Sequence, residues 1–510
     1  MKSKIIGLCL LLAVGIGVIF AAGCISSDNP QETPASSVTE HKTTYDYFMD
    51  EVVTISRPSG HLERINSYLH KFAEDHNLDC KEDAAGNILI TRGTNPFVTL
   101  QGHQDMVLAL ADGKTFDYRT DDIKPYEKDG WLHADGTSLG ADDGIGISVM
   151  LSALTSPEFK DISLACLFTV DEETGCLGAS ALSPDFLPGK YLINVDAEDI
   201  DTLVVSSAGS ANLVAAYSVT SEVPSKNNDW YRVKISGGLG GHSGVNIDKG
   251  SVNAIQTLAT IVKELPYQKL SEFTGGAASN AIPTSASILV SVNPADTDTF
   301  KARLSSFADE LKKEYVNTDP DVIVTFEKTE SPAYAYPYAA AEQIITSVAS
   351  CVNGVIEKSD IGVLTSSSIG TITSDEHKIT LGILPRASDN STLKQVEKDI
   401  TSHFEKHGFT VKEDSLTPAW ELSEEDPEFV QTILNNYQTV FGKEPNYKAI
   451  HGGLECGIID QIKPGINTLT VGATIQNPHT INERVNIESI NKIEELVFSL
   501  IKGFAKITTD

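Results

Sequence analysis

The sequence predicts an α/β protein: a mostly parallel mixed sheet sandwiched by helices, with an inserted, internally duplicated α+β domain. Three observations predict it. Short, almost wholly apolar runs ("NILIT", "FVTLQG", "ISLACLFTV", "YLINVD") alternate with helical patterns. Such runs suit parallel strands covered on both faces. Polar clusters follow the runs directly: "GHQD", "DEETG" and "DAED". After about residue 210 the pattern changes to one-sided strands and amphipathic helices, and buried character returns only from about 405.

Taken in order, the chain opens with Lys2 and Lys4, an apolar run from Ile5 to Ala22, and the small residues Ala21-Ala22-Gly23 before Cys24. This has the form of a secretory signal over 1–24. Cys24 is placed as in a lipoprotein box, where it would become the lipidated first residue. An uncleaved anchor helix is the alternative, since the run nears bilayer-spanning length. Either form predicts an extracytoplasmic protein attached to the cell membrane. Residues 25–43, rich in Ser, Thr and Pro, read as a disordered tether.

The first part of the main domain is expected over 44–209. Its first helix is marked by Leu62, Ile65, Leu69 and Phe72, three or four residues apart. "IGISVMLSAL" and "CLGASAL" read as helices between the strands. The inserted domain is expected over 210–405. In it, "SNAIPTSASILVSVNPADTDTFKARLSSFADELKK" and "SIGTITSDEHKITLGILPRASDNSTLKQVEKDITSHFEK" share one pattern of strands followed by an Asp-led amphipathic helix, hence the duplication. The main domain resumes over 406–510, with "INTLTVGATI" as strand and "INKIEELVFSLIKGFAKI" as closing helix.

Composition narrows the function. A net charge of −31 disfavours nucleic acid and anionic headgroups as partners. Seven cysteines show no CxxC or CxC spacing, so neither a thiolate metal site nor a disulfide framework is indicated. Ligands of open α/β sheets gather beyond the carboxyl ends of the strands. The polar residues there are His103, Asp105, Asp142, Asp143, Glu172, Glu173 and Asp196, with His479 in a late "NPHT". A lone strand-end Asp is usually a helix cap. Several on successive strands of one sheet, with His and without Cys, suit Zn, Mn or Co in a hydrolytic site.

The motifs "LQGHQDMV", "DGTSLGADDGIG", "TVDEETGCLGA", "LINVDAED", "GGHSG", "SNAIP", "HGGLECG" and "PHTINERVNI" stand in one order along the chain. In this the sequence resembles the metallo-exopeptidases of the aminoacyl-histidine dipeptidase type, relatives of peptidase V and carboxypeptidase G. The likeness runs from "TISRPSGHLERI" to the C-terminal helix. It implies a zinc-exopeptidase catalytic domain with a lid, and two divalent metal ions, zinc first, with manganese or cobalt compatible. By motif, His103 and Asp196 would hold one ion and Glu173 and His479 the other. Asp142 would bridge, with a cis peptide to Asp143. Asp105 would orient His103, and Glu172 would be the general base. His242, from the lid, would stabilise the oxyanion. Arg386 and Asn280 would hold the substrate's free carboxylate, and Glu455 would read a substrate amine. A duplicated lid implies a site complete within one subunit.

The reaction so implied is hydrolysis of a small peptide, a dipeptide with His or a broad range of residues at its second position. An N-acyl-amino-acid deacylase on the same scaffold, and a peptide- or metal-binding lipoprotein without turnover, are the alternatives. The adjacent Glu172 and Glu173 further predict a raised carboxylate pKa in the metal-free protein.

Overall fold

The structure is a computed structural model, and it describes residues 42–360, 362–421 and 426–507. The expected signal, Cys24 and nearly all of the tether lie outside the described residues.

An eight-stranded sheet carries the site. Its order is Asp79–Glu82, Ile88–Arg92, Leu164–Thr169, Val98–His103, Tyr191–Asn194, Asn467–Thr470, Thr202–Ser207 and Asn446–Ile450. The four strands from Leu164–Thr169 to Asn467–Thr470 run parallel. Antiparallel strands flank them on one side and begin on the other. Alternation within these strands explains why they read as continuous apolar runs. Cys166 and Phe168 enter one core with the helices Glu63–Asp75, Ala141–Thr155 and Ile487–Ile507, whereas Ala165 and Leu167 face Ile458 and Ile459 on the opposite side. Both faces are covered, so neither set of positions is free to be polar. Leu62, Ile65, Leu69 and Phe72 are buried as their spacing predicts.

Parallel pairing also decides where the polar clusters go. His103 pairs with Thr169, and Gln101 with Asn194. Residues just past those pairs therefore emerge at one edge of the sheet. These are Glu172, Glu173 and Asp196.

The second sheet is wholly antiparallel, and its strands all come from residues 209–417. The helices Ala254–Lys263, Thr297–Glu314, Tyr338–Ser350 and Asn390–Lys406 bury one apolar face each against it. Its two outermost strands, Ile323–Thr329 and Thr410–Thr417, each follow a strand–helix pair, Ala286–Val292 with Thr297–Glu314 and Lys378–Ala387 with Asn390–Lys406. The two halves meet where Gly275 pairs with Ile372. The expected end of the insertion at 405 falls inside a helix, and Thr410–Thr417 still pairs with Gly209–Ser218. That strand is an exposed edge, so "TVKEDSLT" lacks the apolar signal of a strand.

Candidate metal centre and substrate cleft

Three strands end at the same edge, and with the Asp142 turn and the His479 loop they present their carboxylates and imidazoles to one another. His103 is the last residue of Val98–His103 and is 1% exposed. Its Nε2 lies 3.1 Å from Asp142 Oδ1 and 3.5 Å from Asp196 Oδ1. His479 Nε2 lies 3.1 Å from Asp142 Oδ2 and 2.9 Å from Glu173 Oε1. Asp142 thus turns one oxygen to each imidazole. The ligand atoms of His103, Asp142 and Asp196 form one compact group, and those of Asp142, Glu173 and His479 a second, each within 4.8 Å. Asp142 belongs to both.

The donor set fits two cations. A neutral imidazole lone pair facing carboxylate oxygens at about 3 Å is repulsive unless a proton or a metal lies between them. Without metal the protons take that place. Burial opposes the charged form of His479, yet its bonds to Asp142 and Glu173 push its pKa up to about 11. His103 is raised likewise, against its burial, by Asp196, Asp105 and Asp142. Asp142 is pulled well below the carboxylate range, its burial outweighed by bonds to the two imidazoles. Asp196 rises to about 6, chiefly through burial.

Asp105 does more than face His103, whose Nδ1 is 3.4 Å from its Oδ1. Its two oxygens accept the backbone N–H groups of Glu172 (3.0 Å) and Glu173 (3.2 Å), and Oδ2 also accepts the Ser59 hydroxyl at 2.7 Å. One buried carboxylate so fixes the turn that carries both glutamates. Glu172 is raised well above the usual range, first by burial, with Asp196, Glu455 and Glu173 adding to it. The raised carboxylate expected of this pair is therefore Glu172, and its neighbour Glu173 is the smallest of those causes. The Cys176 thiol lies 3.5 Å from Glu172 Oε1.

The Asp142–Asp143 peptide is cis. Asp143 is buried and accepts the backbone N–H of His103 (3.1 Å) and of Gly146 (3.0 Å). Any side chain at Gly102 would meet Asp143 Oδ2 at 2.1 Å, which accounts for the glycine before His103. The four N–H groups from Leu139 to Asp142 converge on Glu483, which is 2% exposed. Ser59, the bonding role of Asp143, and Glu483 were not foreseen. All three stand inside quoted motifs, Ser59 in "TISRPSGHLERI", Asp143 in "DGTSLGADDGIG" and Glu483 in "PHTINERVNI", but no local pattern says what they bond.

From the second sheet, His242 stands on the glycine-rich turn. Its Nδ1 accepts the N–H of Gly244 (3.3 Å) and of Val245 (3.1 Å), so the ring proton sits on Nε2. That Nε2 lies 3.3 Å from Arg386 Nη2. Burial, then the Arg386 and His479 charges, lower the His242 pKa to about 4. Two donors face each other with no acceptor between them, which suits an anionic oxygen. Arg386 is 4% exposed, and its Nε has no partner. Gly244 is pressed between the His451 carbonyl and Arg386 Nε, so the turn and the Arg close on the main domain of the same chain. Asn280 is tied in through its backbone, which accepts the Ser243 N–H at 2.8 Å. With His242 it lines a cleft of ≈ 710 Å³. His451 Nε2 pairs with the Ser366 hydroxyl at 2.7 Å.

Glu455 corrects an expectation. It is fully buried, and its Oε2 accepts Gln101 Nε2 and Thr169 Oγ1, each at 2.6 Å. It is packed against the ligand strands and bonded to them, not exposed where a substrate amine would be read. Burial pushes its pKa from 4.5 up to about 7. A carboxyl raised on folding stabilises fully below its unfolded value and loses that contribution as pH rises through the folded one. Between pH 5 and 8 the metal-free protein should therefore lose about 3 kcal/mol relative to Glu455→Gln. Denaturant unfolding of both proteins at the two pH values checks this, and equal losses would count against it.

Comparison with known proteins places nearly the whole chain. The profile of Peptidase family M20/M25/M40 matches residues 99–503. The cytosol non-specific dipeptidase of Escherichia coli is 29% identical, over 89% of this chain and 96% of its own. The aminoacylhistidine dipeptidase of Vibrio alginolyticus superposes with a TM-score of 0.77 at 30% identity, covering 90% of this chain and 96% of that one. Aminopeptidase PepT of Bacillus cereus, at 18% identity and TM-score 0.52 over 91% and 98%, shares the fold.

The expectation of an extracytoplasmic lipoprotein at the cell membrane is overturned by the Escherichia coli relative, a cytosol enzyme aligned over nearly the whole chain. No helix among the described residues is long and apolar enough to cross a membrane. The expectation rested on residues 1–24, which lie outside the described residues.

Proposed function

The chain belongs to the peptidase family M20/M25/M40, and from that premise we propose that it is a dinuclear-metal dipeptidase whose site is complete within one subunit. The observation that carries this is Asp142, with one oxygen 3.1 Å from each of two imidazoles. His103 and Asp196 would hold one divalent ion, Glu173 and His479 the other, and Asp142 would be shared. Zinc suits these ligands, as do manganese and cobalt. Two such ions, when bound, make a water nucleophilic at neutral pH and polarise the scissile carbonyl.

The chain's own residues do the rest. Glu172, next to the ligand Glu173 on the turn that Asp105 holds, takes the proton of the attacking water and returns it to the leaving amine. Asp105 keeps Glu172 and Glu173 in place through their backbone N–H groups. His242 donates Nε2–H to the oxygen that becomes negative as the carbonyl is attacked. The Arg386 guanidinium, its Nε unpaired, takes the free C-terminal carboxylate, with Asn280 at the neighbouring cleft.

A panel of dipeptides, dipeptide amides and acetyl-amino acids, run on protein reconstituted with defined metals, tests this. Free dipeptides are cleaved, and amides and acetyl-amino acids are poor. Arg386→Ala should lower kcat/KM for free dipeptides about 10–100-fold and leave the amides nearly unchanged. Preference for acetyl-amino acids would make the protein a deacylase. Binding without turnover would make it a solute-binding protein.

A further inference from the structure

Beyond the ligands themselves, the two halves of the centre are held in different ways. His103 and Asp196 stand at or just past the ends of adjacent parallel strands, so the sheet fixes them. His479 does not have that support. It lies on an excursion between the short strands Ile475–Gln476 and Arg484–Asn486, which pair Ile475 with Val485 and Gln476 with Arg484. Two residues of that excursion, Asn477 and His479, have left-handed φ values of 54° and 61°. The His479 side chain is 46% exposed, against 1% for His103.

Glu483 closes the excursion. Its Oε2 accepts the N–H of Leu139 (2.8 Å) and of Gly140 (2.9 Å), and its Oε1 accepts those of Ala141 (2.8 Å) and Asp142 (3.3 Å). These four donors line the turn that leads into Ala141–Thr155, where Asp142 and Asp143 are not yet helical, so Glu483 satisfies buried N–H groups that would otherwise go unpaired. On the other side of the turn, Arg57 Nη2 donates to the Gly140 carbonyl at 2.5 Å. The backbone of one ligand, Asp142, and the loop of another, His479, are thus joined by one side chain.

We propose that Glu483 is a positioning residue that docks the His479 loop onto the Asp142 turn and thereby sets the affinity of the ion held by Glu173 and His479. The inference rests on the dinuclear reading above. It predicts an asymmetric effect. Glu483→Gln places an amide N–H₂ against backbone donors, so the His479 loop loses its anchor. The strand-borne ligands keep theirs, and the shared Asp142 turn is still held by Arg57 at the Gly140 carbonyl and by Asp143 at His103 and Gly146.

The test is metal titration of chelator-stripped protein by equilibrium dialysis with zinc, and by absorption with cobalt, alongside thermal unfolding. Wild type takes up two ions. Glu483→Gln should keep one ion near wild-type affinity and weaken the other about 10–100-fold, the usual cost of losing support behind a ligand. Glu483→Asp, with the charge kept but one methylene shorter, should fall between. Equal wild-type affinity at both sites in a folded Glu483→Gln would overturn the proposal, even if its melting temperature fell. So would equal weakening of both ions. Should Glu483→Gln not fold, the Glu483→Asp titration decides on the same terms. A wild type that binds fewer than two ions would instead overturn the dinuclear reading itself.

Discussion

Glu172→Gln is expected to lower dipeptide turnover about a thousandfold, within the range general bases contribute, while the protein keeps both ions. The substitution is nearly isosteric. Asp105 accepts the backbone N–H of residue 172, not its side chain, so the turn survives. What is lost is a buried carboxylate beside the ligand Glu173. In the metal-free protein its pKa is raised, by burial first, with Asp196, Glu455 and Glu173 adding their charge, and two bound cations would bring it down to the ionised form. An amide takes up no proton from water and returns none to the leaving amine. The measurement is kcat at saturating dipeptide together with metal content per chain. Retained activity would remove Glu172 from the mechanism. Loss of an ion would give Glu172 a different role, because His103, Glu172 and Glu173 also present ligand atoms within 4.8 Å of one another.

Asp142→Asn is expected to abolish activity, by more than about a thousandfold, and here the metals go with it, since the activated water depends on them. Both carboxylate oxygens of Asp142 are engaged, one towards His103 and one towards His479. Asparagine offers a single acceptor, and its N–H₂ faces the other cation with the wrong polarity. Stripping wild type with a chelator should give the same inactive state, and zinc, manganese or cobalt should reverse it. The same metals should not restore Asp142→Asn. Metal content and refilled activity, measured on both proteins, check the prediction. Two tightly held ions in Asp142→Asn would show that the ligands do not share this carboxylate.

The positions of three candidate ligands, His103, Glu173 and Asp196, were legible because they follow apolar strand runs, whereas Asp142 and His479 stood out only through their motifs. In a parallel sheet the ends of such runs lie on one edge, so "GHQD", "DEETG" and "DAED" could be brought together on pattern alone. The supporting residues were not. Glu483 meets the Asp142 turn from 341 residues away, and Ser59 reaches Asp105 from 46 residues away. Contacts of that separation leave no periodicity to read. Glu455 shows the same limit from the other side. Its motif marked it as a site residue, but whether a carboxylate faces solvent or sits beneath a strand depends on which face packs against Gln101 and Thr169. The N-terminal pattern was equally clear, yet it described a segment and not the protein's surroundings.

The sequence by itself determined the layered α/β architecture, the insertion with its repeated halves, and the residue types of a carboxylate–imidazole metal centre. Local hydrophobic period and strand-end polarity carry that information, and both are written in consecutive residues. Only the tertiary structure decided that Asp142 turns an oxygen to each imidazole, that Arg386 and His242 converge on one space, and that Glu483 joins two ligand-bearing loops. Those are distances between segments far apart in the chain. They arise only when parallel strands, a lid and a late loop pack against one another, because directional bonds of about 3 Å require geometry that no local pattern specifies.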